Sequence, residues 1–207
     1  MSSKILSLEP QRRNAVLNAA LKEFALRGYD NASTNVIAKE AGISKALMFH
    51  YVSSKQELFL IVYDYFSELL DKEYFSLINF TNRDIFERFR QSYLLQIELL
   101  KKHPWIFEFN KLSAVTKSDE INEEIKKRAL KKQAACNVLD MVDESKFRAG
   151  LDAEKCKQFI IWANFGFANE ILENIRNSEY AALNYELIVE KLDEYLEELK
   201  KIFYNTD

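Results

Sequence analysis

The residues best equipped for chemistry in this chain lie in one short stretch, Lys45-Ala46-Leu47-Met48-Phe49-His50-Tyr51, just after Ala41-Gly42-Ile43-Ser44. On a helix begun after Ser44, Met48 and Val52 share one arc and face inward. Ala46, Leu47, Phe49 and His50 occupy the opposite arc, and Lys45 sits at the N-terminal tip. An isolated soluble helix has no use for outward Leu47 and Phe49. In a DNA major groove they would meet thymine methyls, while Lys45 and the positive end of the helix dipole lay near phosphates. The chemistry expected is recognition of double-stranded DNA.

The elements that must position this helix are legible on both sides of it. A short helix is expected from about Thr34 to Ala41, with Ser33 as its N-cap and Gly42 closing it. Small Ala38 and Ala41 permit close helix packing, Gly42 permits a positive φ, Ile43 plugs the core and Ser44 caps the next helix, which ends near Val52. Two short helices joined by so tight a turn make a helix-turn-helix. Ahead of it, a helix over about 10–27 begins at Pro10 and stops at Gly28, with Leu17, Leu21, Phe24 and Ala25 on one face. Behind it, Ser54-Lys55-Gln56-Glu57 is a capping box opening a helix through Leu58, Ile61, Val62, Tyr65, Phe66 and Leu69.

The rest of the chain reads as longer helices: about 83–102, broken at His103-Pro104; about 105–112; a charged one over 118–142; and two more over 153–177 and 184–204. Arg148-Ala149-Gly150-Leu151-Asp152 is the clearest late break. Only 4 Gly and 2 Pro in 207 residues leave few breakers, so the expected fold is all-α. No repeat, low-complexity tract or linker separates the expected DNA-binding head, residues 1–55, from the body, residues 56–207.

Charge follows the same division. Residues 1–55 hold eight basic and four acidic groups, a net +4, whereas the other 152 residues carry a net −7. A basic head on an acidic body suits a module that faces phosphates. An enzyme has no positive feature: there is no nucleophile elbow, phosphate-cradling glycine loop or dinucleotide fingerprint, so no catalytic residues are assigned. His103, before Pro104, reads as a helix-end residue, and no acidic or cysteine cluster gives it metal-site spacing. Cys136 and Cys156 lie in no redox or metal spacing and read as free thiols of a reducing cytosol. No stretch approaches the roughly 18 apolar residues of a membrane span, and no signal-peptide run is seen, so a cytoplasmic protein without metal, cofactor or membrane partner is expected.

The ordered run Gly28-Tyr29, Ala32-Ser33-Thr34, Ile37 to Lys45, Phe49-His50-Tyr51 and Ser54 to Leu58 resembles the TetR family of helix-turn-helix regulators. The resemblance is dense over about residues 10–60, and beyond them it rests on length, helicity and helix order. Met48 stands where leucine is usual, Val52 where an aromatic is common, and Leu47 where a small or polar residue is frequent. The resemblance implies that Ser33 and Thr34 touch phosphate and that Asn35 reaches a base edge. It likewise places Lys45, Ala46, Leu47, Phe49 and His50 on the recognition helix, and sets Tyr51 and Lys55 against phosphate.

In the body, Ile188, Leu192, Tyr195, Leu199 and Ile202 recur at steps of four and three, a seam for a partner helix. The preceding helix is apolar on two sides: Ile161, Phe165, Ala168, Leu172 and Ile175 form one stripe, and Phe159, Ala163 and Gly166 a second that is expected to meet another subunit. The resemblance implies the same, a homodimer joined by the last two helices of each chain. It also implies a body pocket whose small-molecule inducer weakens DNA binding. Tyr93, Trp105, Phe109, Trp162 and Asn169 are assigned to that pocket from residue type, which points to a hydrophobic or aromatic inducer. The expected function is a repressor on a palindromic operator. The alternative is a constitutive or partner-controlled DNA-binding protein without an inducer, which the lack of a sizeable body cavity would favour.

Overall fold

The computed structural model describes residues 4–112, 116–130, 138–177 and 184–205; Cys136 lies outside them. Its helices run α1 Pro10–Asn31, α2 Thr34–Glu40, α3 Lys45–Tyr51, α4 Lys55–Glu73, α5 Ile85–Lys102, α6 Ile106–Leu112, α7 Asp119–Ala129, α8 Ala153–Asn177 and α9 Tyr185–Phe203. Short 3-10 turns occur at Phe75–Leu77 and Glu144–Lys146. The fold is all-α, as the scarcity of Gly and Pro predicts. By compactness it divides into two units, Met1–Glu73 with Leu99–Ala134 and Tyr74–Glu98 with Ala135–Asp207.

The first unit is organised by α1. Val16, Leu17, Ala20, Leu21, Phe24 and Ala25 recur at helical spacing and are all buried. Pro10 tolerates the first turn because its missing N–H has no intrahelical partner there. At Gly28 the backbone leaves helical geometry with φ 68°, then resumes to Asn31, so the expected stop is a kink followed by one more turn. Phe59 of α4 is the hub of an aromatic cluster, 5.0 Å from Phe24, 5.2 Å from Tyr29 and 5.7 Å from Phe109 of α6. Tyr29 is half-buried, but Phe24, Phe59 and Phe109 are buried, and each contributes about 1.5–3 kcal/mol through removal of its surface from water.

His103 closes the far end of this unit. It is buried against Phe66, ring to ring at 5.1 Å, and its Nδ1 lies 2.8 Å from Asn18 Oδ1. Because that oxygen only accepts, Nδ1 carries the proton. Burial lowers the His103 pKa below its ordinary 6.5, with Glu73 opposing and Lys102 reinforcing the shift. The unfolded chain therefore takes up this proton first. Stability tied to neutral His103 is complete above pH 6.5 and is lost as pH falls through the lower folded value. Melting temperatures followed from pH 7 to 5 should fall more steeply for the wild type than for His103→Gln; parallel curves would refute the assignment.

The second unit packs Ile85, Phe86, Phe89 and Tyr93 of α5 against Cys156 and Ile160 of α8 and Leu192, Leu196 and Leu199 of α9. Phe147 and Tyr204 close this core and pair as an isolated antiparallel bridge. Arg88 is fully buried beside them. Its Nε donates to Asn82 O at 3.0 Å, Nη1 to Val138 O at 2.7 Å and Asp140 O at 2.6 Å, and Nη2 to Phe80 O at 3.3 Å and Asn82 O at 2.5 Å. That cage corrects one expectation. The helix predicted over 118–142 ends at Ala129, and residues 138–141 form turns instead, where the carbonyls of Val138 and Asp140 accept from Arg88 rather than from a helical ladder.

Candidate nucleic-acid interface

The turn between α2 and α3 is built from local hydrogen bonds. Ile43 N–H donates to Ala38 O at 3.0 Å and Gly42 N–H to Lys39 O at 3.1 Å, the paired bonds of a Schellman motif. That motif requires a left-handed residue, and Gly42 supplies it with φ 67°. Ser44 then caps α3, its Oγ accepting from Leu47 N–H at 3.1 Å. Met48 and Val52 are buried as expected, which fixes the rotation of α3 about its axis. At the start of α2, Ser33 has extended backbone but makes no side-chain capping bond. The buried carboxylate of Glu23 anchors this point instead, accepting from Ser33 N–H at 2.9 Å.

With those anchors in place, α3 turns Lys45, Ala46, Phe49 and His50 to solvent, while Leu47 and Tyr51 are half-buried. The Lys45 ammonium lies 6.0 Å from the Phe49 ring centre, and the His50 and Tyr51 rings meet edge-on at 5.8 Å. Asn35 and Lys39 are exposed on α2, and Ser33 and Thr34 are half-buried at its start. The structure thus brings cations, hydrogen-bonding groups and one exposed aromatic onto neighbouring short helices. Such a surface can pair with phosphates and with base edges.

Lys55 is tied into the unit more tightly than a surface cation. Its Nζ donates to Asp30 O at 3.1 Å and Ala32 O at 3.3 Å and lies 4.8 Å from the Tyr29 ring centre. Two of its three N–H groups therefore bond carbonyls at the end of α1. The capping box at α4 is shifted by one residue. Ser54 Oγ accepts from Glu57 N–H at 3.0 Å, but the Glu57 carboxylate turns to Ser53, taking its N–H at 2.6 Å and its hydroxyl at 2.5 Å. Those bonds hold the Glu57 carboxyl below its usual pKa.

The N-terminal segment contributes what sequence reasoning missed. Ile5 is buried, and Lys4 Nζ donates to His50 O at 3.4 Å, satisfying a carbonyl in the last turn of α3. The apolar pair Ile5-Leu6 directly after Lys4 is the signal the sequence holds for it.

In the second unit a cavity of about 380 Å³ is lined by Tyr74, Ser92, Tyr93, Gln96 and Asn164 together with apolar neighbours. Of the five residues assigned to a pocket from sequence, Tyr93 lines it. Trp105 and Phe109 belong to the first unit, where Phe109 packs on Phe59; Trp162 and Asn169 are exposed on α8. Of the three in the second unit only Tyr93 lines the cavity, because residue type alone says nothing about which core a side chain joins. Leu192 and Leu199 are buried in the core of their own chain rather than on an open seam, and Tyr195 stacks on Phe167 at 4.7 Å. Ile188 and Ala163 are half-buried, and Phe159 and Gly166 are exposed.

Residues 16–62 match the family model for bacterial regulatory proteins of the tetR family. The BetI transcriptional regulator of Agrobacterium fabrum is 46% identical over 55 residues, 27% of this chain and 27% of its own. The transcriptional activator FasR of Mycolicibacterium smegmatis is 44% identical over 52 residues, 25% of this chain and 24% of its own. The match thus spans about a quarter of the length of these curated relatives. The whole fold is shared more widely: a TetR family regulator from Chloroflexus aurantiacus superposes with a TM-score of 0.60 at 16% identity, covering 98% of this chain and 97% of that one. KstR2 of Mycobacterium tuberculosis does so with a TM-score of 0.59 at 19% identity, covering 96% and 98%. Residues 16–62 thus carry the sequence signature of the tetR family, and the chain as a whole shares the fold of TetR family structures.

Proposed function

We propose that the protein is a repressor that binds a palindromic operator as a homodimer and is released by a small apolar inducer, with residues 1–55 reading DNA and residues 56–207 dimerising and binding ligand. The observation that carries this reading is the α2–α3 turn, whose Gly42 and Ser44 geometry and Met48 and Val52 anchors leave Lys45, Phe49 and His50 facing solvent together. Ser33, Thr34, Asn35, Tyr51 and Lys55 flank that face, Lys55 with one N–H beyond its two carbonyl bonds to give to a phosphate.

The dimer is supported by an apolar face on α8, where Phe159, Trp162 and Phe165 are 50%, 59% and 65% exposed at steps of three. Monomeric proteins rarely leave contiguous rings of this size in water. Ala163 and Gly166 give that face the small residues that let a second helix approach. Two heads related by a two-fold axis would read half-sites about 34–36 Å apart. The cavity in the second unit favours ligand control over a constitutive binder. Helix α5 supplies Ser92, Tyr93 and Gln96 to that cavity. A ligand that binds better when α5 is set against DNA binding would shift the equilibrium by its differential affinity.

Sedimentation of the protein, alone and on DNA from upstream of its own gene, tests the assembly. Two subunits per site are expected. Trp162→Glu should give monomers and weaken DNA binding by about 100-fold or more, the loss of linked two-site binding. A dimeric Trp162→Glu with unchanged affinity would contradict the α8 interface.

A further inference from the structure

The cavity in the second unit has a chemistry of its own. Phe89, Val138, Ile161 and Phe165 give it apolar walls. At one place Tyr74 OH and Ser92 Oγ lie 2.7 Å apart, and Gln96 Nε2 donates to both, at 3.2 and 3.1 Å. Elsewhere on the wall, from α8, stands Asn164, 5% exposed. Its Nδ2 donates to Ile160 O at 2.8 Å, but its Oδ1 has no hydrogen-bond partner. Tyr93 OH donates to the Asn164 carbonyl at 2.9 Å, which holds that turn of α8 against α5. Among the described lining residues there is no Asp, Glu, Lys, Arg or His.

We infer that this cavity takes an uncharged molecule with an apolar, ring-sized body and a hydroxyl or N–H donor for Asn164, and that it rejects carboxylates and phosphates. The inference rests on the ligand-responsive reading above for its effect on DNA, and on the cavity alone for the class of ligand. A carboxylate entering it would leave water without meeting a cation, at a cost of several kcal/mol. A neutral donor costs far less to desolvate and gives the orphaned Asn164 oxygen its missing partner. The hydroxyls of Tyr74 and Ser92 both donate and accept, so that cluster can adjust to a neutral polar group without any formal charge. A volume of about 380 Å³, roughly that of a dozen waters, suits one or two rings rather than a long chain with a polar head.

Calorimetry on the full chain at pH 7 with 2-naphthol, 2-naphthoate and naphthalene tests this. These probes share one body and differ in having a neutral donor, an anion or no polar group. 2-Naphthol should bind at least tenfold more tightly than 2-naphthoate. Asn164→Leu should bring 2-naphthol down towards naphthalene while leaving naphthalene unchanged, and Ala168→Trp should block all three by filling the cavity. If Ala168→Trp does not fold, Ala168→Leu, with its melting curve as control, carries the same test. Preference for 2-naphthoate, indifference to the Ala168 variants, or no binding by any probe up to about 1 mM would overturn the inference. 2-Naphthol binding that meets these criteria yet leaves DNA affinity unchanged would uphold the ligand class and remove the inducer role. Release of DNA by 2-naphthoate would do the reverse.

Discussion

Replacing Lys45 and Phe49 together by alanine should weaken sequence-selective DNA binding by at least about 100-fold while leaving the melting temperature nearly unchanged. Both side chains are exposed, so their removal costs little packing. Each subunit would give up an apolar contact to a base and a charge near phosphate, and a dimer would give up both twice. The single variants should separate the two roles. Lys45→Ala should reduce affinity for every sequence and flatten the salt dependence by about one unit for each phosphate that is no longer neutralised. Phe49→Ala should instead change which sequences are preferred. Titration of operator and scrambled DNA by fluorescence anisotropy reads both effects, and a double variant that binds like the wild type would show that α3 is not the reading helix.

Arg88→Met should be the most damaging single change in the second unit, costing about 3 kcal/mol or more. The guanidinium serves four carbonyls, those of Phe80, Asn82, Val138 and Asp140. Each carbonyl left buried without a donor costs about 1–3 kcal/mol, and the relief of no longer burying a cation offsets part of the sum. Burial does press on that cation: it lowers the Arg88 pKa, against the opposing pull of Asp140 and Tyr204. In a chain of this size, 3 kcal/mol corresponds to a melting temperature lower by roughly 6–12 °C. Arg88→Lys, with three donors in place of five, should fall between. Because Val138 both accepts from Arg88 and lines the cavity, the methionine variant should also bind the neutral probe less well. A loss below about 1 kcal/mol in urea unfolding would mean that solvent or other donors replace the cage.

The contrast between these two sites explains what sequence could tell. The head was legible because its determinants are local. Gly42, Ser44, Met48 and Val52 act across steps of three to five residues, and their types specify the turn, the cap and the buried arc. The body's determinants lie far apart in the chain. The periodicity of α9 identified an apolar seam, but not that Leu192 and Leu199 would be taken up by the chain's own core. On α8 the second stripe put Phe159 on an exposed face, yet Phe165, placed with the core stripe, proved more exposed still. Arg88 illustrates the limit most clearly. A charged residue at position 88 reads as surface, and only the convergence of carbonyls from residues 80–82 and 138–140 makes a buried site for it. The cavity was illegible for the same reason: Ser92, Gln96 and Asn164 have no distinction in the sequence until α5 and α8 face each other.

The most direct measurement is anisotropy of labelled DNA from upstream of the protein's own gene, with scrambled DNA as control, across a salt series. Tight, salt-sensitive and sequence-selective binding at two subunits per site is the predicted result. Equal, weak binding to both DNAs, or selective binding by a single subunit, would contradict it.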